Sequence, residues 1–340
     1  MSQSRVHSLK LVVTRLLLLC VFALLFFLLP VKESEAQSDW NWYKGNLHTH
    51  TVNSDGDSAP DVVARWYKEH RYNFLVLTDH DFLTAPEGLN AVFGAPGKFL
   101  LMPGEEVSAR YDKLPIHVNA FRIQATLLPV GGTSVLDTVQ KNVDLIRKAG
   151  GVPSLNHPNF QWAVRPEDLK QVAGLKLFEV YNGHPTVNNA GGGGFESLDE
   201  MWDVVLTAGR ETYGIAVDDA HHFKSLGPEF SNPGRGWVMV RARDLSTDSV
   251  LNALEGGEFY ASTGVALAEM ERLPDGIRLR IAEQPFIRFT TEFIGADGKV
   301  LARSYEMSSE YRLRPGDRYV RARVKDSNGN QAWAQPVFAR

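Results

Sequence analysis

The chain is nearly free of cysteine, because Cys20 is the only one among its 340 residues. One thiol makes no disulfide within a chain and builds no cysteine-rich zinc site. A metal bound by this protein would therefore be held by nitrogen and oxygen atoms. Long runs of lysine or arginine are also absent, and the formal net charge is −4. We therefore expect no nucleic-acid partner.

Long apolar runs are absent beyond the N-terminus. Three basic residues, the last of them Arg15, precede the apolar run 16–29, and small residues around Ala36 follow it. This order is typical of a secretory signal peptide, and the run is short for a transmembrane span. We predict a signal peptide over residues 1–36 and an exported protein, periplasmic or extracellular. The alternative is an uncleaved membrane anchor with the folded part outside the cytoplasm.

Histidine is plentiful where cysteine is not. Seven of the ten histidines fall in short clusters, several of them with carboxylates: His48-Thr-His50 with Asp55, Asp79-His80, Glu105-Glu106, His117, Asn156-His157 and Asp219-Ala-His221-His222. Imidazole and carboxylate groups are ligands for Zn²⁺, Mn²⁺ and Fe. In a strand, residues i and i+2 point to the same side, so His48 and His50 can face one metal. We predict a multinuclear metal site.

Two neighbours in the second cluster cannot both face the metal. Asp79 and His80 are adjacent in sequence, so their side chains diverge in an extended segment. We assign His80 to the metal and Asp79 to an orienting role beside it. The same alternation pairs Asp219 with His221 and turns His222 away from them.

Apolar runs that predict strands alternate with helical patterns after residue 37. The predicted strands are Tyr43–Leu47, Phe74–Leu77, Phe99–Met102, Ile116–Phe121, Val152–Leu155, Phe178–Tyr181, Tyr213–Val217 and Trp237–Val240. The predicted helices are 60–70, 134–149, 196–208 and 246–255. This alternation favours an α/β fold with a parallel barrel. Most histidine clusters then fall at the carboxyl ends of strands, where barrel enzymes assemble their active sites.

The pattern changes from about Glu269 to short alternating segments separated by turn signals. These segments are 277–281, 287–294, 318–324 and 332–338. We predict a barrel domain over residues 37–268 and a small, sandwich-like all-β domain over 269–340. The second domain is assigned a supporting role.

The motifs, taken in order, resemble those of the PHP superfamily, named after polymerase and histidinol phosphatase. They are His48-x-His50 with Ser54-Asp55-Gly56, Thr78-Asp79-His80, Gly104-Glu105-Glu106, His117, Asn156-His157-Pro158 and Asp219-x-His221. The resemblance implies a distorted (β/α)₇ TIM-like barrel with two or three divalent ions, Zn, Mn or Fe. It implies nine metal ligands, with Glu105 bridging two ions: His48, His50, Asp55, His80, Glu105, His117, His157, Asp219 and His221. More narrowly, the chain looks like the exported branch that includes carbaryl (carbamate ester) hydrolases.

The expected reaction is hydrolysis of a small ester by a hydroxide that bridges the metals, without a serine or cysteine nucleophile. A phosphoester is the leading substrate, and a carboxyl or carbamate ester is the alternative. An exported metal-binding or ligand-binding module without catalysis is the third possibility. We assign Glu105 and Asp219 to catalysis, with His184 as the candidate proton donor. The sequence leaves the oligomeric state open.

Two sets of loop side chains are candidates for substrate contact. A phosphoester needs cations beyond the metals, whereas a neutral ester needs an apolar slot. The candidate anion binders are Arg110, Lys113, Arg165, Lys224 and Arg235. The candidate apolar wall consists of Phe82, Phe160, Trp162 and Phe223.

Overall fold

A computed structural model describes residues 40–340 of the chain. The signal peptide predicted over residues 1–36 lies outside the described residues, as does Cys20. Within residues 40–340, none of the helices has both the length and the apolar character needed to cross a lipid bilayer.

The described chain contains seventeen strands and six α-helices. The strands are β1 (Asn41–Asn46), β2 (Phe74–Val76), β3 (Leu100–Met102), β4 (Gly104–Tyr111), β5 (Leu114–Phe121), β6 (Val152–Leu155), β7 (Leu177–Asn182), β8 (Tyr213–Val217), β9 (Trp237–Ala242), β10 (Phe259–Ser262), β11 (Leu267–Leu273), β12 (Gly276–Ile281), β13 (Phe289–Ile294), β14 (Val300–Ser304), β15 (Ser308–Arg312), β16 (Tyr319–Asp326) and β17 (Gln331–Phe338). The helices are α1 (Pro60–Glu69), α2 (Pro86–Phe93), α3 (Val135–Lys148), α4 (Pro166–Leu169), α5 (Leu198–Thr207) and α6 (Thr247–Glu255).

Helix boundaries follow local capping chemistry. Helix α3 begins after Ser134, whose side chain accepts a hydrogen bond from the backbone N–H of Asp137. Helix α5 begins at a capping box in which Ser197 and Glu200 satisfy each other's backbone N–H groups. The four predicted helices are found to within two residues at each end. Helices α2 and α4 were not predicted, because each begins at a proline and is too short to show a clear period.

The strands form three sheets. A nine-stranded sheet has the order β14-β13-β16-β17-β10-β9-β1-β2-β3, and a five-stranded sheet has the order β4-β5-β6-β7-β8. Strands β1, β2 and β3 are parallel, as are β6, β7 and β8. A small third sheet contains β11, β12 and β15. The architecture is therefore a mixed α/β fold.

The predicted barrel is wrong in one respect, because the strands do not close into a continuous sheet. Strand β5 is antiparallel to both of its neighbours, so the alternation of parallel strands and helices is broken there. Pro103, which has no N–H to donate, separates β3 from β4. Among residues 40–340, the two large sheets are linked by isolated bridges, Thr49 with Ala220 and His80 with Glu106.

The C-terminal strands extend the large sheet. Strand β17 pairs with β10, so β13, β14 and β16 belong to the same nine-stranded sheet as β1. The predicted domain boundary after residue 268 falls inside β11. Two hydrogen bonds of 2.7 Å join the buried Arg321 of β16 to Asp203 of α5. These contacts pack the C-terminal strands against the helical layer.

Candidate metal centre

The histidine clusters meet in one cavity of about 260 Å³. Segments that follow β1, β2, β6 and β8 contribute to it, together with one face of β4 and β5. Its walls are formed by His50, Asp55, His80, Glu106, Arg110, Pro115, His117, His157, Phe160, Gln161, His184, Val187, Asp219 and His221. The fold thus brings residues that are far apart in sequence to one place, largely at carboxyl ends of strands.

Glu106 lies at the centre of the imidazole cluster. Its Oε2 atom is 3.3 Å from the Nε2 atoms of both His48 and His50. The same oxygen is 3.1 Å from Nδ1 of His80. One carboxylate oxygen therefore faces three imidazoles from two different strand ends.

The second oxygen of Glu106 faces the other side of the cavity. Its Oε1 atom is 3.0 Å from Nδ1 of His117 and 3.2 Å from Nε2 of His157. It also accepts a hydrogen bond of 2.8 Å from the side-chain amide of Asn156, which fixes the carboxylate. The two oxygens of Glu106 thus divide the five histidines between them.

The structure contradicts the assignment of Glu105 as the bridging carboxylate. Adjacent residues of a strand point to opposite faces, and Glu105 shares its face of β4 with Val107 and Ala109, which are buried in the apolar core. Its Oε1 atom accepts a hydrogen bond of 2.6 Å from the backbone N–H of Leu127, away from the histidines. Glu106 therefore occupies the position that the motif resemblance gave to Glu105.

Asp219 forms a second anionic position in the cluster. Its Oδ1 atom lies 3.3 Å from Nε2 of His48 and 3.2 Å from Nε2 of His50. This oxygen is buried and accepts no hydrogen bond from the described residues. The residue has φ of 49°, an unusual conformation for a non-glycine residue. A buried carboxylate oxygen that faces two imidazole nitrogens and accepts no hydrogen bond fits a position for a cation.

Asp55 closes the outer side of the cluster. Its carboxylate lies 3.3 Å from Nε2 of His221, 3.4 Å from Nδ1 of His50 and 3.5 Å from Nε2 of His80. The side chain is 54% exposed, so this part of the cluster is open to solvent. Water and substrate can therefore approach the cluster from the Asp55 side.

The donor set fits divalent metal ions. The ligand atoms form four overlapping groups, each within 4.8 Å: His50, Asp55, His80 and His221; His48, His157 and Asp219; His48, His50 and Glu106; His80, Glu106 and His117. Nitrogen and carboxylate oxygen donors at this density are the ligands of zinc, manganese and iron sites. Eight of the nine predicted ligands are brought together, and Glu106 is the ninth.

The imidazoles and carboxylates of the cluster shift each other's pKa values. Burial opposes ionisation of Glu106, but the imidazoles of His48, His80 and His117 outweigh it and hold the pKa of this carboxyl well below its usual range. Burial likewise disfavours the charged form of His80, yet Glu106 and Asp55 raise its pKa to about 9. Without metal, His80 therefore holds a proton near neutral pH.

Two buried aspartates outside the cluster hold the segments that carry it. Asp79 accepts hydrogen bonds from the backbone N–H of Thr51 at 2.7 Å and from the hydroxyl of Ser54 at 2.9 Å. These contacts fix the loop that ends in Asp55, in agreement with the orienting role predicted for Asp79. Asp218 accepts hydrogen bonds from the phenol of Tyr67 and from the backbone N–H groups of residues 235 and 236, directly before β9. The sequence pattern includes Asp218 in the same cluster as Asp219 but assigns it no role.

His184 lines the cavity beside His221, with 5.3 Å between the ring centres. Its Nδ1 atom lies 2.9 Å from the hydroxyl of Thr186 and accepts a hydrogen bond from the backbone N–H of the same residue. Burial lowers the pKa of His184 to about 4. The ring is therefore neutral at pH 7, and its one ring proton lies on Nε2 because Nδ1 accepts the N–H of Thr186.

Of the side chains predicted to contact substrate, Arg110 and Phe160 line the cavity. Arg165 instead pairs with Glu196 at 2.8 Å. Arg235 lines a neighbouring cavity and donates one hydrogen bond, of 2.9 Å, to the carbonyl of Gly183. The remaining candidates do not line the metal cavity: Lys113, Lys224, Phe82, Trp162 and Phe223. His222 packs beside Phe230 and turns away from the cluster, as predicted.

No family model matches the chain. A segment of 82 residues is 33% identical to the 5'-3' exoribonuclease Rnm of Escherichia coli and covers 24% of this chain and 28% of that enzyme. The enzyme of the same name from Salmonella typhimurium is 33% identical over 79 residues, 23% of this chain and 27% of that enzyme. The chain thus spans little more than a quarter of the length of these curated relatives.

Similar solved structures are more distant in sequence. A two-domain protein of Bacteroides vulgatus containing a predicted PHP-like metal-dependent phosphoesterase is 16% identical, covers 89% of this chain and 88% of its own, and has a TM-score of 0.49. The lesion-specific endonuclease EndoQ of Pyrococcus furiosus is 14% identical, covers 64% of this chain and 56% of its own, and has a TM-score of 0.41.

The PHP superfamily, which the motif series resembles, is also the description of the Bacteroides vulgatus protein. None of these relatives is described as a carbaryl hydrolase, so that narrower resemblance stays a prediction. The expected absence of a nucleic-acid partner is not supported by the sequence match, because Rnm is an exoribonuclease by name.

Proposed function

We propose that the cavity hydrolyses phosphoesters with the help of two or three divalent ions, Zn, Mn or Fe. The chain is a metal-dependent hydrolase. The observation that best supports this function is the overlap of the ligand groups, since Glu106 belongs to two of them and so does His50. Carboxylates shared in this way are a feature of sites that hold neighbouring ions for hydrolysis.

The chain itself supplies three things to this reaction. The histidines with Glu106, Asp219 and Asp55 hold the ions. When bound, such ions lower the pKa of water, polarise a phosphoryl or carbonyl oxygen and orient the reacting groups. Phe160 offers an apolar wall to the organic part of the substrate, and the neutral ring of His184 offers a hydrogen-bond donor.

Arg110 favours a phosphoester over a neutral ester. It lies on the same face of β4 as Glu106, four residues further along the strand, and it lines the cavity. Its side chain is exposed, and its guanidinium has no carboxylate partner within the described part of the chain. A free guanidinium at the rim of an anion-accepting site is suited to the non-bridging oxygens of a phosphate.

Three other functions would be distinguished from this one by a substrate panel. The matched exoribonuclease segment favours an oligoribonucleotide substrate as a second candidate. A carboxyl or carbamate ester substrate requires only the metals and the apolar wall. A binding module without catalysis would retain metal and turn over nothing.

A substrate panel with the metal-loaded protein separates these functions. The panel contains aryl phosphomonoesters, phosphodiesters, short 5'-phosphorylated oligoribonucleotides, aryl esters and aryl carbamates. We expect phosphoester turnover that disappears with chelator and returns with Zn²⁺ or Mn²⁺. Turnover of esters and carbamates without any phosphoester would refute the proposal. Retention of metal without turnover of any compound would favour the binding module.

Replacing Arg110 by alanine is expected to raise the KM for phosphoesters about tenfold, since a hydrogen bond to a charged group contributes about 1.5 kcal/mol or more. Turnover of any neutral ester that the protein accepts should stay as in the wild type. Steady-state kinetics on both substrate types measures the difference. Lys113→Ala, in the same hairpin but outside the cavity, is the matched control. Equal effects on both substrate types would remove Arg110 from phosphate binding.

We also propose that the folded part is exported through the segment 1–36. Expression of the full chain and N-terminal sequencing of the mature protein tests this step. A new N-terminus after Ala36 in the secreted or periplasmic fraction is the expected result. An intact N-terminus in the membrane fraction would favour the anchor.

A further inference from the structure

Strand β7 supplies no residue to the four ligand groups, although it lies between two strands whose ends do. The segment after β6 carries His157, and the segment after β8 carries Asp219. The polar side chains of β7 on the cavity side are Glu179 and Asn182, and both are fully buried. Buried polar side chains need hydrogen-bond partners. Glu179 and Asn182 find theirs in the segments that carry the metal ligands.

A bulge brings these two side chains to one face. In a regular strand, residues three apart point to opposite sides. Here Glu179 pairs with Ile215 of β8 and Asn182 pairs with Val217, so β7 has one residue more than its partner over this stretch. The extra residue is Val180. Because Ile215 and Val217 share a face, Glu179 and Asn182 also do, which is how bulges redirect side chains beside active sites.

Glu179 accepts hydrogen bonds from three donors. Its Oε1 atom lies 2.6 Å from Nδ1 of His48. Its Oε2 atom lies 2.7 Å from the backbone N–H of His157 and 2.7 Å from the side-chain amide of Asn182. Since an ionised carboxylate only accepts, Nδ1 of His48 carries a proton, and Nε2 is the nitrogen left to bind a metal. The bond to His157 holds a residue whose φ is 24°.

Asn182 connects Glu179 to the segment that follows β8. Its side-chain nitrogen also donates to Oδ2 of Asp219 at 3.0 Å. Its side-chain oxygen accepts a hydrogen bond of 2.8 Å from the backbone N–H of His184. The pair Glu179 and Asn182 therefore reaches four segments that border the cavity.

We propose that Glu179 and Asn182 are positioning residues, turned to the cavity by the Val180 bulge to fix the tautomer of His48, the backbone of His157 and the carboxylate of Asp219. This rests on the metal binding of the proposed function and not on which ester is cleaved. Strand β7 thus contributes to the cluster through its neighbours.

The isosteric change Glu179→Gln tests the pair sharply. The glutamine oxygen can accept a hydrogen bond either from His48 or from His157 and Asn182. Its NH₂ group then faces the hydrogen-bond donor on the opposite side. If the NH₂ group faces His48, that imidazole must carry its proton on Nε2, where it cannot bind metal. If it faces His157 and Asn182, two donors lose their acceptor. Either orientation loosens a ligand without creating a cavity.

The experiment compares the full chain with Glu179→Gln, Asn182→Ala and the surface control Glu167→Gln. Readouts are metal retained per chain against a series of chelator concentrations, the absorption spectrum with Co²⁺ in place of the native ion, and the Tm of the metal-free proteins. We expect Glu179→Gln to retain metal about 10–100-fold more weakly and to change the Co²⁺ spectrum. Asn182→Ala should have a smaller effect of the same kind, and Glu167→Gln should match the wild type.

A Glu179→Gln protein with wild-type Tm, metal retention and Co²⁺ spectrum would overturn the proposal. If Glu179→Gln shows no cooperative unfolding, Asn182→Ala decides: a folded Asn182→Ala protein with wild-type retention and spectrum overturns it, and weaker retention supports it. Wild-type protein that binds metal but hydrolyses no phosphoester refutes the proposed function alone. Wild-type protein that binds no metal refutes both.

Discussion

Replacing Glu106 by glutamine is expected to lower turnover at least a hundredfold and to release bound metal. The change keeps the size of the side chain but removes the charge that faces five imidazoles in the cavity. Loss of an outer hydrogen-bond partner of a ligand typically costs 10–100-fold, and loss of a shared ligand should exceed that. Elemental analysis and turnover of the same samples measure both effects.

Glu105→Gln is the matched control, because the two positions are adjacent and the chemical change is identical. Glu105 contacts the backbone of Leu127 and none of the histidines. We expect this variant to keep its metal and most of its turnover, even if its Tm falls. The reverse pattern, in which Glu105→Gln loses metal and Glu106→Gln keeps it, would restore the assignment made from the motif.

These adjacent glutamates show how far the bridging carboxylate could be predicted from the sequence. The motif placed the bridging carboxylate within Gly104-Glu105-Glu106, but choosing between neighbours requires the register of β4. That strand was not predicted, because its residues 104–106 carry no apolar alternation. The packing of Val107 and Ala109 in the apolar core shows that Glu105 points to the core side of β4 and that Glu106 points to the cavity. His48 and His50 follow a clearly predicted strand and have no neighbouring residue that could bind the metal instead, so they could be assigned from the sequence.

Partners of the ligands were harder to find than the ligands. Glu179 lies in a strand that was predicted correctly to within one residue at each end. A single acidic residue among apolar ones indicates a buried charge with a partner, but it does not name the partner. The bulge at Val180, which sets the direction of Asn182, has no marker such as glycine in the sequence. These contacts depend on pairing between β7 and β8, which is a tertiary property.

The same limit applies to the large-scale fold. Strand–helix alternation correctly predicted the parallel groups β1 to β3 and β6 to β8. It could not show that the hairpin of β4 and β5 runs antiparallel inside the series. Alternating C-terminal segments predicted strands, yet their sheet partner, β10, lies before the segment that was assigned to a second domain. Strand pairing over long sequence distances is decided by packing and not by local pattern.

The metal-free protein is expected to lose stability as pH rises from about 6.5 to 9, and metal is expected to reverse this loss. His80 has a pKa of about 9 in the folded protein, raised by Glu106 and Asp55 against the effect of burial. Because the folded-state pKa exceeds the ordinary value near 6.5, the stabilisation is complete below 6.5 and is lost as pH passes through 9. Glu106 and Asp219 have lowered pKa values, so their contribution is present above about pH 4.5 and is lost below it.

Metal and protons therefore compete for the same imidazoles. Each histidine that gives up a proton on binding makes the metal affinity rise about tenfold per pH unit below its pKa. The Tm of the wild type, measured from pH 5 to 9 with chelator and with metal, should diverge as pH rises. His80→Gln should flatten the metal-free curve between pH 6.5 and 9, whereas His70→Gln, outside the cluster on α1's exposed end, should leave it unchanged. A metal-free Tm that stays level or rises over this interval would mean that the histidines do not hold protons in place of metal.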